Sequence, residues 1–257
     1  MATFVLIHGS WHGAWCWYKV AAGLEAAGHR VIVPDLPAHG RAWRWARGRV
    51  TLRAMTRTVC DVLDGLDEPA VVVAHSRGGI VASQAAERRP DRVRALVYLA
   101  AYLLRDGERV VDWFRADGDS LIPPHLTLRR ARLTDMLDER AFRAALYADC
   151  SDADVALARA LLTPEPSLPA LTRLKLSDAR FGSVPRYYIE LLQDRAVSLS
   201  LQRRMHAALP CARVVSIDAS HSAYFSRPSE LVAHLDGFVD DFVTARAAPA
   251  ALLAASR

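Results

Sequence analysis

Lysine is almost missing from this chain of 257 residues: Lys19 and Lys175 are the only two. The net charge of +5 is therefore carried by arginine, which reads as codon bias of a GC-rich, bacterial coding sequence. Cysteine is also scarce. Cys16, Cys60, Cys150 and Cys211 are scattered without metal-ligand spacing, which excludes a disulfide framework and leaves reduced, mostly buried thiols. No His/Asp/Glu cluster stands at metal spacing, so neither a metal nor a cofactor is expected. Long hydrophobic runs are absent as well. None reaches the ~20 residues of a membrane span, and an apolar strand pattern begins at Thr3, where a signal peptide would need a charged region first. A cytoplasmic protein without membrane contact is the expectation. Internal repeats are absent too.

What is present is alternation. Short runs of aliphatic, β-branched and aromatic residues at Thr3–His8, Arg30–Pro34, Ala70–Ala74, Arg94–Leu99, Arg186–Leu191 and Arg213–Ile217 read as strands. Trp15–Ala27, Leu52–Leu66, Gly79–Arg88, Ser198–Ala208 and Ser229–Thr244 read as helices between and after them. Strands alternating with helices imply an α/β fold, a mainly parallel sheet of about six strands wrapped on both faces. At 52% hydrophobic residues the chain can bury one sizeable core. A single domain is expected over 1–244, with a core of 1–100 and 186–244. The interval 101–185 breaks the alternation after the fourth strand. It carries helix-like segments at Val110–Arg115, Glu139–Tyr147 and Ala153–Leu162, separated by Pro pairs, and predicts a helical cap over the sheet edge. The Ala-rich stretch 245–257 predicts a flexible tail.

Ala70–Ala74 runs into His75-Ser76-Arg77-Gly78-Gly79, a serine among small residues at a strand-to-helix junction. This is the pattern of a nucleophile elbow, in which bulky neighbours would collide with the bent backbone; Ala74 stands where the usual motif has its first glycine. Thr3–His8 leads into Gly9-Ser10-Trp11-His12-Gly13, a glycine-bearing loop able to aim backbone N–H groups at an oxyanion. Asp194 follows the fifth strand and His221 the sixth. The order Ser76, Asp194, His221 is that of α/β-hydrolases, and all three fall on loops after parallel strands. Asp218 is a rival acid that reads more simply as a loop residue. His8, His12 and His75 read as hydrogen-bonded structural histidines.

Beyond these motifs, Phe4-Val5-Leu6-Ile7-His8-Gly9 with His12-Gly13-Ala14-Trp15 and Trp17, then Leu146-Tyr147, Cys150-Ser151 and Asp154, and Arg180-Phe181-Gly182-Ser183-Val184, resemble the α/β-hydrolase family of plant methylesterases and hydroxynitrile lyases. The resemblance runs from about Thr3 to about Val243. It implies a serine carboxylesterase acting on small-molecule esters of apolar or aromatic acids, with Ser76 as nucleophile, His221 as base, Asp194 as its orienting acid, and the backbone N–H groups of Ser10 and Arg77 as oxyanion donors. It also implies a homodimer. Lyases of the family carry a lysine just after the catalytic histidine, whereas His221 is followed by Ser222-Ala223-Tyr224. An acyltransferase, a thioesterase and a non-catalytic small-acid binder remain open readings.

Trp11, Trp113, Phe114 and Tyr147 are candidates to line an acyl pocket; Trp113, Phe114 and Tyr147 can equally form the core of the cap. The run Arg41-Ala42-Trp43-Arg44-Trp45-Ala46-Arg47-Gly48-Arg49 interleaves aromatics with arginines. Nucleic-acid proteins use such a pattern, but here it follows a strand toward the active-site edge and reads as a solvated loop that helps admit an anionic substrate. No nucleic-acid partner is expected.

Overall fold

The structure, a computed structural model, describes the backbone of residues 1–45, 49–129, 131 and 133–254, and the side chains of the same residues except 44, 45 and 242–254. The chain opens with β1 (Thr3–Ile7), a 3-10 turn at Ala14–Trp17 and α1 (Tyr18–Ala26). β2 (Arg30–Ile32), α2 (Leu52–Asp64), β3 (Ala70–His75), α3 (Gly78–Arg88) and β4 (Val93–Leu99) follow. The interval after β4 holds α4 (Val110–Arg115), β5 (Leu126–Arg129), β6 (Thr134–Leu137), α5 (Phe142–Leu146), α6 (Asp152–Leu161), β7 (Glu165–Pro166) and α7 (Leu168–Leu171). β8 (Arg186–Leu191), α8 (Leu199–Ala208), β9 (Arg213–Ile217), α9 (Ala223–Ser226) and α10 (Pro228–Ala254) close the fold.

Six strands form one sheet in the order β2-β1-β3-β4-β8-β9, every neighbour pair parallel. The strand period of two explains both faces. Phe4 and Leu6 of β1 join Val71 and Val73 of β3 and Tyr187 and Ile189 of β8 on one face, covered by Val20 and Leu24 of α1 and Leu231, Leu235 and Phe238 of α10. Val5, Ile7, Val72, Ala74, Leu96 and Tyr188 point the other way, toward Met55, Val59 and Leu63 of α2, Ile80 of α3 and Leu201 and Met205 of α8. Strands buried on both faces need apolar residues throughout, which is why β3 reads as an uninterrupted buried run. Thr51 caps α2 by accepting the Ala54 N–H at 3.2 Å.

The cap differs from the helical one expected. A three-stranded antiparallel sheet, β5-β6-β7, stands among its short helices. Its four-residue strands are flanked by arginines, and β7 is two residues long with a proline, so no period of two was long enough to stand out. β2 ends at Ile32, short of Pro34. Residues 245–254, read as a tail, continue the backbone of α10, and 255–257 lie outside the described residues. Within the Arg/Trp run, Gly40–Trp45 forms a 3-10 turn and 46–48 lie outside the described residues. Among the described residues no helix is long and apolar enough to cross a membrane.

From β1 the chain steps to β2 on one side, then passes over to β3 on the other. This reversal makes the carboxyl ends of β1 and β3 the switch point, where open parallel sheets leave a crevice.

Candidate active site

Ser76 sits immediately after β3, with φ of 53°. That left-handed conformation is costly for a residue with a Cβ and marks a sharp turn. Three backbone hydrogen bonds hold it: Ser76 N–H donates to Leu99 O at 3.2 Å, and the Ser76 carbonyl accepts from Gly79 N–H at 3.1 Å and Tyr102 N–H at 3.0 Å. The neighbours must be small. A Cβ on Gly9 would stand 2.8 Å from Ser76 Cβ, and one on Gly78 would stand 2.7 Å from His8 O.

His221, on the loop after β9, donates its Nδ1–H to Asp194 Oδ2 at 2.7 Å. Asp194 Oδ1 accepts the N–H groups of Ala196 and Val197 at 2.7 and 2.9 Å, which fixes the carboxylate on the loop after β8. With Nδ1 protonated, Nε2 is left as the free lone pair of the ring. Asp218, the rival acid, is exposed and accepts instead from Gln193 Nε2 at 3.0 Å. Ser10, Ser76, Arg77 and His221 border one cavity of about 480 Å³. Among the described residues neither the Ser10 N–H nor the Arg77 N–H has a hydrogen-bond acceptor, so two donors from the carboxyl ends of β1 and β3 stand free at this cavity.

His8, His12 and His75 are each held by hydrogen bonds. Leu36 N–H donates to His8 Nε2 at 3.1 Å. His75 donates Nε2–H to the His221 carbonyl at 2.9 Å, tying the elbow to the loop of the base. His12 donates Nδ1–H to Ser10 O at 2.6 Å, and its Nε2 accepts from the hydroxyls of Tyr147 at 2.7 Å and Tyr224 at 3.0 Å. Burial, reinforced by the nearby His221 ring, holds His12 down to about 3. It is neutral at pH 7, as an acceptor at Nε2 must be.

Of the four pocket candidates, Trp11 and Phe114 border the cavity and Trp113 and Tyr147 do not. Tyr147 is fully buried with its hydroxyl on His12, and Trp113 packs against the core cluster on the other sheet face with the Arg204 guanidinium over its ring at 5.3 Å. Arg41 and Trp43 border a different depression, beside Trp15 and Leu162. Among the described residues, the exposed arginines at the rim of the Ser76 cavity are Arg115 and Arg129. Ile122, Leu126 and Ala196 make its wall apolar and buried Asp135 supplies a carboxylate, none of them expected. Lone residues in irregular cap segments carry no periodic signal. Among the described residues no group of His, Cys, Asp and Glu is arranged to hold a metal ion.

The family model described as "Alpha/beta hydrolase family" matches residues 4–235. Salicylic acid-binding protein 2 of Nicotiana tabacum is 34% identical over 247 residues, covering 90% of this chain and 95% of that protein. Methylesterase 7 of Arabidopsis thaliana is 33% identical over 266 residues, 93% of this chain and 96% of that one. Of a longer chloroplastic relative from Arabidopsis thaliana, 34% identical over 245 residues, the chain spans 61%. Among solved structures, the methylesterase protein MES16 from Arabidopsis superposes with a TM-score of 0.82 at 25% identity, covering 93% of this chain and 99% of that one.

Proposed function

Since the chain belongs to the alpha/beta hydrolase family, we propose that it is a serine carboxylesterase in which Ser76, His221 and Asp194 form the catalytic triad. The observation that carries this reading is the left-handed Ser76 facing the same cavity as a histidine whose Nδ1 is committed to a buried carboxylate. Ser76 Oγ attacks the ester carbonyl carbon and passes its proton to His221 Nε2; Asp194 holds the ring and balances its charge. The oxyanion is held by the N–H groups of Ser10 and Arg77, in place before the charge forms. His221 then protonates the departing alcohol. Water, activated by the same ring, attacks the acyl-enzyme and releases the acid.

The substrates are esters of small or medium apolar, including aromatic, carboxylic acids. The 480 Å³ cavity with Phe114, Ile122 and Leu126 on its wall supports this, within the ~300–1,000 Å³ of small-molecule sites. Relatives named methylesterases support methyl esters as substrates, and the lysines argue against lyase chemistry: neither Lys19 nor Lys175 borders the cavity, and Lys19 is ion-paired with Asp154 at 2.7 Å. Four free thiols suit a reducing compartment, which supports a cytoplasmic location. The homodimer implied by family resemblance is checked by light scattering on the eluting protein.

Stopped-flow release of p-nitrophenol from p-nitrophenyl butyrate tests the assignment. Sustained release by the native chain and none by Ser76→Ala is expected. Release that survives in Ser76→Ala overturns the covalent mechanism, and a single stoichiometric burst replaces hydrolysis with acyl transfer to another acceptor.

A further inference from the structure

Glu165 is a carboxylate from β7 of the cap, only 2% exposed, and nothing in the triad chemistry uses it. Its two oxygens are fully engaged. Oε1 is ion-paired with the Arg77 guanidinium. Oε2 accepts the Trp11 N–H at 2.6 Å and lies 2.8 Å from His39 Nε2. Arg77 follows the nucleophile and carries one free N–H; Trp11 follows Ser10, which carries the other.

Trp11 makes this arrangement consequential. Its φ is 63°, a left-handed conformation that a tryptophan holds only when its surroundings compel it. All that compels it comes from the cap. Thr163 N–H donates to the Trp11 carbonyl at 2.9 Å, the indole Nε1–H donates to Asp135 Oδ1 at 3.1 Å, and the backbone N–H goes to Glu165. On the other side, Arg77 Nη2 also donates to Pro166 O at 3.2 Å, so the elbow is bound to the same two residues of β7.

Building on the esterase reading above, the geometry points to Glu165 as a positioning residue that sets the spacing between the two halves of the oxyanion hole. One carboxylate bridges the residue after Ser10 to the residue after Ser76, and donors must be set in place before charge develops to be effective. A carboxylate is the group this bridge needs. It accepts at both ends, whereas the amide of Gln turns an N–H₂ either toward the Arg77 guanidinium or toward the Trp11 N–H, donor against donor. Asp is too short to span both. The Arg77 charge is thereby spent inside the protein and is not offered to substrate.

Glu165→Gln tests this, with Arg77→Leu/Glu165→Leu as a second variant that removes both buried charges together and so spares the fold an unpaired one. Four quantities are read in each: kcat and KM for p-nitrophenyl butyrate, the inhibition constant of butaneboronic acid, whose tetrahedral adduct with Ser76 places an oxygen in the hole, and that of butyrate, which does not. A fall in kcat of about 10²-fold is expected, with KM and butyrate affinity unchanged and boronate affinity reduced by the same factor as kcat/KM. A role confined to stability would lower the melting temperature and leave the folded variants at native kcat and native boronate affinity, and that result overturns the proposal. A native chain that neither turns over ester nor binds boronate would instead refute the esterase reading and this bridge with it.

Discussion

Asp194 and Asp218 are both carboxylates close to the loop of His221, and their surroundings divide them. Asp194 is buried, pinned by two backbone N–H groups and joined to the imidazole at 2.7 Å. Asp218 is exposed and spends Oδ1 on Gln193. Asp194→Asn exchanges the acceptor of the Nδ1–H for an amide that can present its own N–H, which favours the tautomer with Nε2 protonated and unable to take the serine proton. A loss of about 10⁴-fold in kcat on p-nitrophenyl butyrate is expected, by analogy with the serine protease case. Asp218→Asn should leave kcat unchanged. A loss in Asp218→Asn with native kcat in Asp194→Asn would return the assignment to the rival acid. At this scale the candidate loops were readable where a motif is local: Ser76, Asp194 and His221 each follow a short apolar run, so the loop that bears them is visible in the sequence. Glu165 was not readable, because its contacts to Trp11 and Arg77 span 154 and 88 positions and no short pattern encodes them.

Among the elements, the central strands β1, β3, β4 and β8 were legible because burial on both faces demands apolar runs, while the cap hairpin was not, because Leu126–Arg129 mixes a half-buried leucine with three exposed residues. The same irregularity misdirected the choice among α4 residues. Phe114 and Trp113 are adjacent aromatics on α4, a helix of six residues, so they point about 100° apart around its axis. Phe114 faces the cavity, and Trp113 faces the core under the Arg204 guanidinium. Phe114→Ala opens the acyl wall, and kcat/KM for p-nitrophenyl octanoate should rise about tenfold relative to the butyrate, the scale at which hydrophobic pockets discriminate chain length. Trp113→Ala should lower the melting temperature and leave the chain-length ratio alone. The reverse pattern would put Trp113 in the pocket after all.

Across the whole molecule, four of the nine histidines are buried and held below the ordinary imidazole range: His12 down to about 3, His39 down to about 4, and His8 and His75 well below it. Burial is the largest cause in each. The rings also crowd one another, His8 against His39 at 4.9 Å and His12 against His75 at 6.4 Å, so charging one opposes charging the next. In the unfolded chain all four titrate near 6.5. Above that value neither state binds these protons and stability does not depend on them. Below it the unfolded chain takes them up while the folded one does not, so stability falls as pH falls, down to the folded values at about 4 and about 3 for His39 and His12. Each ring contributes a slope of about 1.4 kcal/mol per pH unit well below 6.5, and the four together about 5 kcal/mol per unit. The carboxylates held low by their partners, Asp154 beside Lys19 and Glu190 beside His206, act in the same direction but only nearer pH 4. Urea unfolding followed by tryptophan fluorescence at pH 7.5, 6 and 5 should therefore show a flat region giving way to a decline below 6.5, with protons taken up on unfolding at pH 5. A urea midpoint that holds constant from pH 7.5 to 5 would mean that these rings can charge inside the fold, and the neutral His12 acceptor between Tyr147 and Tyr224 would then be wrong.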